Sequence, residues 1–310
     1  MTSRTVRVAA VDIGTNTVRL LVADVTAGGD VTWLHRRAMV TRLGQGVDAT
    51  GTFSCEAVDR TVAALAELGD EARTRGWRIA RAVATSATRD VADRDVFLDR
   101  AESVLGFRPE VIDGDEEAAL AFAGATMGGG GDPPFLVIDP GGGSTEFVLG
   151  DDHPVYAASV DIGSVRLTER SLPRHPAPAG DVAAAGRHVD DLLAAGVRLP
   201  HRPQTVIGVA GTFTSLAALH LDLPAYDPDA VHGTVLDADD LKGLVARLAL
   251  MSIDEVAVLP AIDPGRAPVL LGGAVVAERS LAHVGAPQIT VSERDNLDGI
   301  AAGLYRSDAG

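Results

Sequence analysis

The sequence predicts an α/β protein of two domains, on three observations. Strand-like and helix-like segments alternate along the chain. A turn of the form apolar-Asp-X-Gly occurs in both halves, and 310 residues suit two domains of ordinary size.

Val6–Val11 and Val18–Asp24 read as apolar strands joined by Asp12-Ile13-Gly14-Thr15-Asn16-Thr17, with 31–40 continuing the meander. Between Ser54 and Arg75, Val58, Val62, Leu65 and Leu68 recur at helical spacing; Arg78–Ala84 then reads as a strand and Asp90–Leu105 as a helix. Val111 and Ile112 suggest a short strand. Asp115–Met127 suggests a helix opening with acidic residues, which the positive end of the helix dipole favours. Gly128–Pro134 can sustain neither helix nor ladder and is the expected hinge. This gives a first domain over 1–127 and a second over 128–294.

The second half repeats the opening: strand Phe135–Asp139, turn Pro140-Gly141-Gly142-Gly143, strand Ser144–Leu149. Aligning Val11–Val22 with Ile138–Leu149 puts both Asp-X-Gly turns in one frame, which suggests duplication. Pro173–Pro178 reads as a loop. Thr205–Ala210 reads as a strand running into a helix that ends near Leu219. Ala238–Leu250 and Ala267–Leu281 read as helices, Gln288–Val291 as a strand, and Asn296–Tyr305 as a terminal helix.

Composition narrows the function. Hydrophobic residues make up 46% and charged residues 23% of the chain, as in globular proteins. No apolar run reaches the roughly 18 residues of a membrane span, and a strand begins too early for a signal peptide, so a cytoplasmic protein is expected. The lone Cys55 excludes an intramolecular disulfide or a thiolate metal cluster. A net charge of −16 disfavours long-range attraction to nucleic acid or anionic membrane. Lys242 is the only lysine among 27 basic residues, so phosphate contacts would fall to arginine.

Singly, an Asp-Gly turn merely closes a hairpin. Two in equivalent frames, each trailed by hydroxyl residues, point to phosphate. Glycine backbone offers N–H donors, and a carboxylate at the strand tip can hold Mg²⁺ directly or through water. A P-loop is excluded because Lys242 precedes Gly243, and Gly44-Gln45-Gly46 lacks the third glycine of a dinucleotide fingerprint. Neither a Gly-X-Ser-X-Gly elbow nor a His-Glu-X-X-His motif is present.

Five ordered motifs carry a resemblance that spans nearly the whole chain. They are Asp12–Thr17, Ala84-Thr85-Ser86-Ala87-Thr88-Arg89, Gly114-Asp115-Glu116-Glu117-Ala118, Ile138–Glu146 and Gly163-Ser164-Val165-Arg166-Leu167-Thr168. Together they resemble the exopolyphosphatase and guanosine pentaphosphate phosphohydrolase (Ppx/GppA) family. The resemblance implies the actin/Hsp70/sugar-kinase (ASKHA) fold, with two ribonuclease-H-like domains around a cleft and a C-terminal helix, about 295–310, packing back on the first domain. It implies Glu117 as the carboxylate that positions or deprotonates the attacking water. Asp139 would orient that water and, with Asp12, surround Mg²⁺ or Mn²⁺. Gly141, Gly142, Gly143 and Ser144 would cradle phosphate oxygens with Gly14, Thr15, Asn16 and Ser164; Arg89 would stabilise terminal phosphoryl charge, and Glu146 would orient a loop residue or water. In-line attack on phosphorus fits such a division, because it needs a placed nucleophile and neutralised oxygens more than a covalent intermediate.

The implied substrates are inorganic polyphosphate or guanosine pentaphosphate, the latter linking the protein to the stringent response. The chain's length and acidity lean away from very long polyphosphate, which needs a basic track, and toward short chains or a nucleotide. Pro140 stands where the family has an aliphatic residue and removes an N–H beside Asp139. That keeps open a non-catalytic sensor of guanosine tetraphosphate; an ATP-dependent kinase of the same fold, with its adenosine pocket near Gly208–Thr212, is the other rival. The sequence leaves oligomeric state open, a homodimer included.

Overall fold

The computed structural model describes residues 5–89, 91–127 and 130–308. The chain divides into two compact units, Met1–Met127 with Arg294–Gly310, and Gly128–Glu293. Of the expected hinge, Gly128 and Gly129 lie outside the described residues.

The first unit opens as an antiparallel meander of β1 (Thr5–Ile13), β2 (Thr17–Thr26) and β3 (Val31–Val40). Then come α1 (Val47–Thr50), α2 (Cys55–Arg75), β4 (Ile79–Ala84), the single turn α3 (Ser86–Arg89), α4 (Arg94–Leu105), β5 (Glu110–Val111) and α5 (Gly114–Ala125). The sheet order is β3-β2-β1-β4-β5, with β4 parallel to β1.

β1 and β2 are largely apolar because both faces of the sheet are covered there. Ala9, Val11, Ile13, Leu20 and Val22 enter one core with Leu65 and Leu68 of α2 and Phe97 and Leu98 of α4. Val6, Val8, Ala10, Leu21 and Ala23 enter another with Leu297, Ile300 and Ala301. By the period of two, Asp12 follows Val8 and Ala10 onto this second face.

Ser54 starts α2 by accepting a bond from the Ala57 N–H at 3.2 Å, and Gly76 ends it at φ 67°. The expected helix from Asp90 is corrected. Asp90 lies outside the described residues, 91–93 are not helical, and α4 begins at Arg94. Val91 is instead buried in the first core, and the Ala92 N–H is drawn to the Gly51 carbonyl.

In the second unit β6 (Phe135–Pro140), β7 (Thr145–Gly150) and β8 (Pro154–Val160) form an antiparallel meander. They are followed by α6 (Ser164–Ser171), α7 (Ala179–Gly196), β9 (Thr205–Gly208), α8 (Ala210–His220), α9 (Pro228–Val231), β10 (Val235–Asp237), α10 (Ala238–Ala249), α11 (Ile253–Ala257), α12 (Ala267–Val284) and β11 (Gln288–Val291). The sheet order is β10-β11-β9-β6-β7-β8. Pro140, expected in the turn, is the last residue of β6 and pairs with Thr145. The sequence reading left β8, α6, α7, α9, β10 and α11 unassigned.

The last element among the described residues is α13 (Asn296–Asp308), which belongs to the first unit. It meets α5 at two glycines. A Cβ on Gly124 would lie 1.7 Å from the Asp295 carbonyl oxygen, and one on Gly299 would lie 2.1 Å from the Leu120 carbonyl oxygen, so only glycine permits this approach. Among the described residues no helix is long and apolar enough to cross a membrane.

Candidate active site

In the first unit, Asp12 stands near the end of β1, opposite Arg19 in the β1–β2 register. Its carboxylate is 3% exposed by residue. Arg19 donates to Oδ2 from Nε at 2.9 Å and from Nη2 at 2.6 Å. Oδ1 is buried and has no partner among the described residues. One carboxylate oxygen is thus saturated and the other bare.

The turn after Asp12 is fixed through its backbone. The Gly14 N–H donates to the Thr17 carbonyl at 3.0 Å, the Asn16 carbonyl accepts from Thr41 and Arg42, and the Thr15 carbonyl accepts from Gly44. The Thr15 methyl fills the space where a Gly44 side chain would stand. Thr15 and Asn16 are buried, and the Asn16 side-chain Oδ1 also lacks a partner among the described residues.

Asp113 starts α5 by accepting a bond from the Glu116 N–H at 2.8 Å, and the helix then sorts two adjacent carboxylates onto different faces. Glu116 is turned outward and pairs with Arg81 at 2.6 Å. Glu117 is buried and accepts from Arg89 Nη1 at 2.8 Å. The same Arg89 nitrogen donates to the Ile112 carbonyl at 3.0 Å, which fixes the guanidinium between α3 and α5. Burial pushes the Glu117 carboxyl above its ordinary range; Arg89 opposes that rise, and the Asp12 charge adds to it.

In the second unit, Asp139, Glu146 and Ser159 form one row across β6, β7 and β8. Asp139 and Glu146 are buried, and Ser159 Oγ donates to Glu146 Oε1 at 2.8 Å. The glycine turn is closed by the Gly141 N–H donating to the Ser144 carbonyl at 2.9 Å. Its carbonyls face the start of α6. The Ser164 N–H and Oγ donate to the Gly141 carbonyl at 2.9 and 3.3 Å, and the Val165 and Arg166 N–H groups donate to the Gly142 carbonyl. A side chain on Gly163 would strike the Gly142 backbone. Thr212 Oγ1 donates to the Pro140 carbonyl at 3.1 Å. Among the described residues no backbone acceptor takes the N–H groups of Gly142, Gly143 or Ser144.

The structure therefore gathers the candidate residues into two sets. Asp12, Gly14, Thr15, Asn16, Arg89 and Glu117 belong to the first unit, and Asp139, Gly141, Gly142, Gly143, Ser144, Glu146 and Ser164 to the second. In this geometry the Ser164 N–H and hydroxyl brace the loop. Sequence reasoning passed over Arg19 and Ser159, and met Thr212 only as the edge of the kinase rival's adenosine pocket. Arg19 was accessible to it: a three-residue connection over 14–16 places Arg19 across the hairpin from Asp12.

Among the described residues no group of three His, Cys, Asp or Glu is assembled to hold a metal ion. The donors present nevertheless suit Mg²⁺, which retains waters and binds through one or two carboxylates together with substrate phosphates. The bare Asp12 Oδ1 is such a donor.

The Ppx/GppA phosphatase family model matches residues 21–305. Exopolyphosphatase 2 of Mycobacterium tuberculosis is 45% identical over 314 residues, covering 96% of this chain and 98% of the relative. An exopolyphosphatase-like protein of known crystal structure is 38% identical, with a TM-score of 0.94 and 99% of each chain covered. The Aquifex aeolicus PPX-GPPA enzyme is 28% identical, with a TM-score of 0.81 over 97% of this chain and 100% of that one. The two-sheet α/β architecture is that of the ASKHA fold, and the chain belongs to the Ppx/GppA phosphatase family.

Proposed function

We propose that this phosphoanhydride hydrolase removes the terminal phosphate of short inorganic polyphosphate chains, giving orthophosphate and a chain one unit shorter. The observation that carries the proposal is the pairing in one unit of two unlike buried carboxylates. Asp12 keeps one bare oxygen, while Glu117 is pushed toward a higher proton affinity and held by Arg89.

A carboxylate with a raised pKa is suited to take a proton at neutral pH. Glu117 accepts the proton of the attacking water as its oxygen bonds to the terminal phosphorus, and the bridging P–O bond breaks toward the shortened chain. Arg89 holds the Glu117 carboxylate and stabilises charge on the terminal phosphoryl group. Asp12 offers Oδ1 to Mg²⁺ or Mn²⁺, which when bound neutralises phosphate oxygens. In the second unit, Gly142, Gly143 and Ser144 offer N–H donors suited to phosphate oxygens, and Asp139 offers a carboxylate for water orientation. The relatives named exopolyphosphatases support polyphosphate as the substrate. We take the cytoplasm as the setting.

The test is orthophosphate release from short polyphosphate, long polyphosphate and guanosine pentaphosphate in parallel, with and without Mg²⁺. The proposal expects the highest kcat/KM on short polyphosphate. A preference for guanosine pentaphosphate would reassign the substrate.

A further inference from the structure

We propose that Asp295, immediately before α13, is a positioning residue for hydrolysis: acting through Arg19, it fixes the Asp12 carboxylate with Oδ1 bare. The inference rests on the hydrolase reading above and adds a residue far in sequence from the five motifs.

Arg19 is shared between two acids. While Nε and Nη2 hold Asp12 Oδ2, Nη1 donates to Asp295 Oδ2 and Nη2 also donates to Asn296 Oδ1 at 2.7 Å. Asp295 is itself immobilised. Its Oδ2 accepts from Arg36 Nη2 at 2.9 Å, and its Oδ1 accepts from the Leu297 N–H at 3.0 Å at the start of α13. The Arg19, Asp12 and Asp295 side chains are 15%, 4% and 3% exposed, so little water screens them.

The backbone of Asp295 does a second job. Its carbonyl oxygen occupies the place of a Gly124 side chain on α5, the helix that carries Glu117. One residue thereby touches the supports of both Asp12 and Glu117 and sets one against the other. Supporting contacts of this kind commonly change activity or metal affinity by about 10- to 100-fold when removed.

The test compares Asp295→Asn, Asn296→Ala and Asp298→Asn in the full chain. Asp298 accepts from Trp33, Arg36, Arg294 and the Asp295 N–H but shows no bond to Arg19, so it reports on the stability of the same network and of the Asp295 backbone without touching the Arg19 link. Asp295→Asn and Asn296→Ala should each lower kcat about 10-fold or more with little change in KM, while Asp298→Asn keeps wild-type kcat. Asp295→Asn should also weaken binding of Mn²⁺ alone, followed by electron paramagnetic resonance, because the whole Arg19 charge then falls on Asp12.

Wild-type kcat in both Asp295→Asn and Asn296→Ala overturns the proposal, as does equal loss in Asp298→Asn. Should Asp295→Asn fail to fold, Asn296→Ala decides. If the wild type releases no phosphate, the hydrolase reading fails, and the Mn²⁺ titration decides the positioning role. Equal Mn²⁺ affinity in wild type and Asp295→Asn, or no Mn²⁺ binding by either, then overturns it.

Discussion

Replacing Glu117 by Gln should leave a folded protein that binds substrate and has lost most of its turnover. Gln keeps the size of the side chain and can still accept the Arg89 bond seen at 2.8 Å, but it cannot take a proton. Loss of a general base costs about 10²- to 10⁴-fold in rate, or about 3–5 kcal/mol of transition-state stabilisation. Stability should move the other way. Burial raises the Glu117 pKa in the fold, so its contribution to stability is fully present below the unfolded value and is lost as pH rises through the raised folded value. Glu117→Gln lacks that loss, so its melting temperature relative to wild type should rise as pH increases above the ordinary glutamate range. The control is Glu116→Gln, which breaks an exposed pair with Arg81 worth about 0–1 kcal/mol and touches nothing in the site. Initial rates of phosphate release and thermal melts of the three proteins suffice. A dead Glu116→Gln beside an active Glu117→Gln would show that the wrong face of α5 has been assigned. Two active variants would remove the general base from the account.

Three further outcomes follow from the geometry. EDTA should abolish phosphate release and Mg²⁺ or Mn²⁺ should restore it; full activity in EDTA after exhaustive dialysis would separate Asp12 from any metal role. Gly124→Ala should destabilise the first unit by at least about 1–3 kcal/mol, the ordinary cost of overpacking, because its methyl would sit 1.7 Å from a backbone oxygen; an unchanged denaturation midpoint would contradict that α5–α13 contact. Ala210 holds φ 64° at the start of α8, a conformation costing about 1–2 kcal/mol outside glycine. Ala210→Gly should therefore be neutral or stabilising by up to about 1 kcal/mol after its own entropy cost, and a lower melting temperature would refute the strain.

Much of the fold was legible because its signals are local. Apolar runs at 5–13, 17–26 and 135–140 could hardly be anything but covered strands, and Ser54 before a helical period marks the start of α2. α7 escaped because AGDVAAAGRHVDDLLAAG is rich in alanine and glycine, and its buried Val189 and Leu193 make too sparse a stripe to read. The start of α4 escaped because burial of Val91, a tertiary matter, displaced it. In the site, motif order pointed to Glu117 and Asp12 as candidates. The Arg19–Asp295 link joins residues 276 positions apart, and no local pattern announces it.

Hydrolysis at a chain end can be followed directly by ³¹P NMR of a short polyphosphate of defined length incubated with the protein, Mg²⁺ and water alone. Terminal-phosphate hydrolysis predicts an orthophosphate signal rising from the first minutes while chains shorten one unit at a time, with both changes lost in Glu117→Gln. Mid-length fragments appearing before orthophosphate, or no change until a nucleotide acceptor is added, would contradict it.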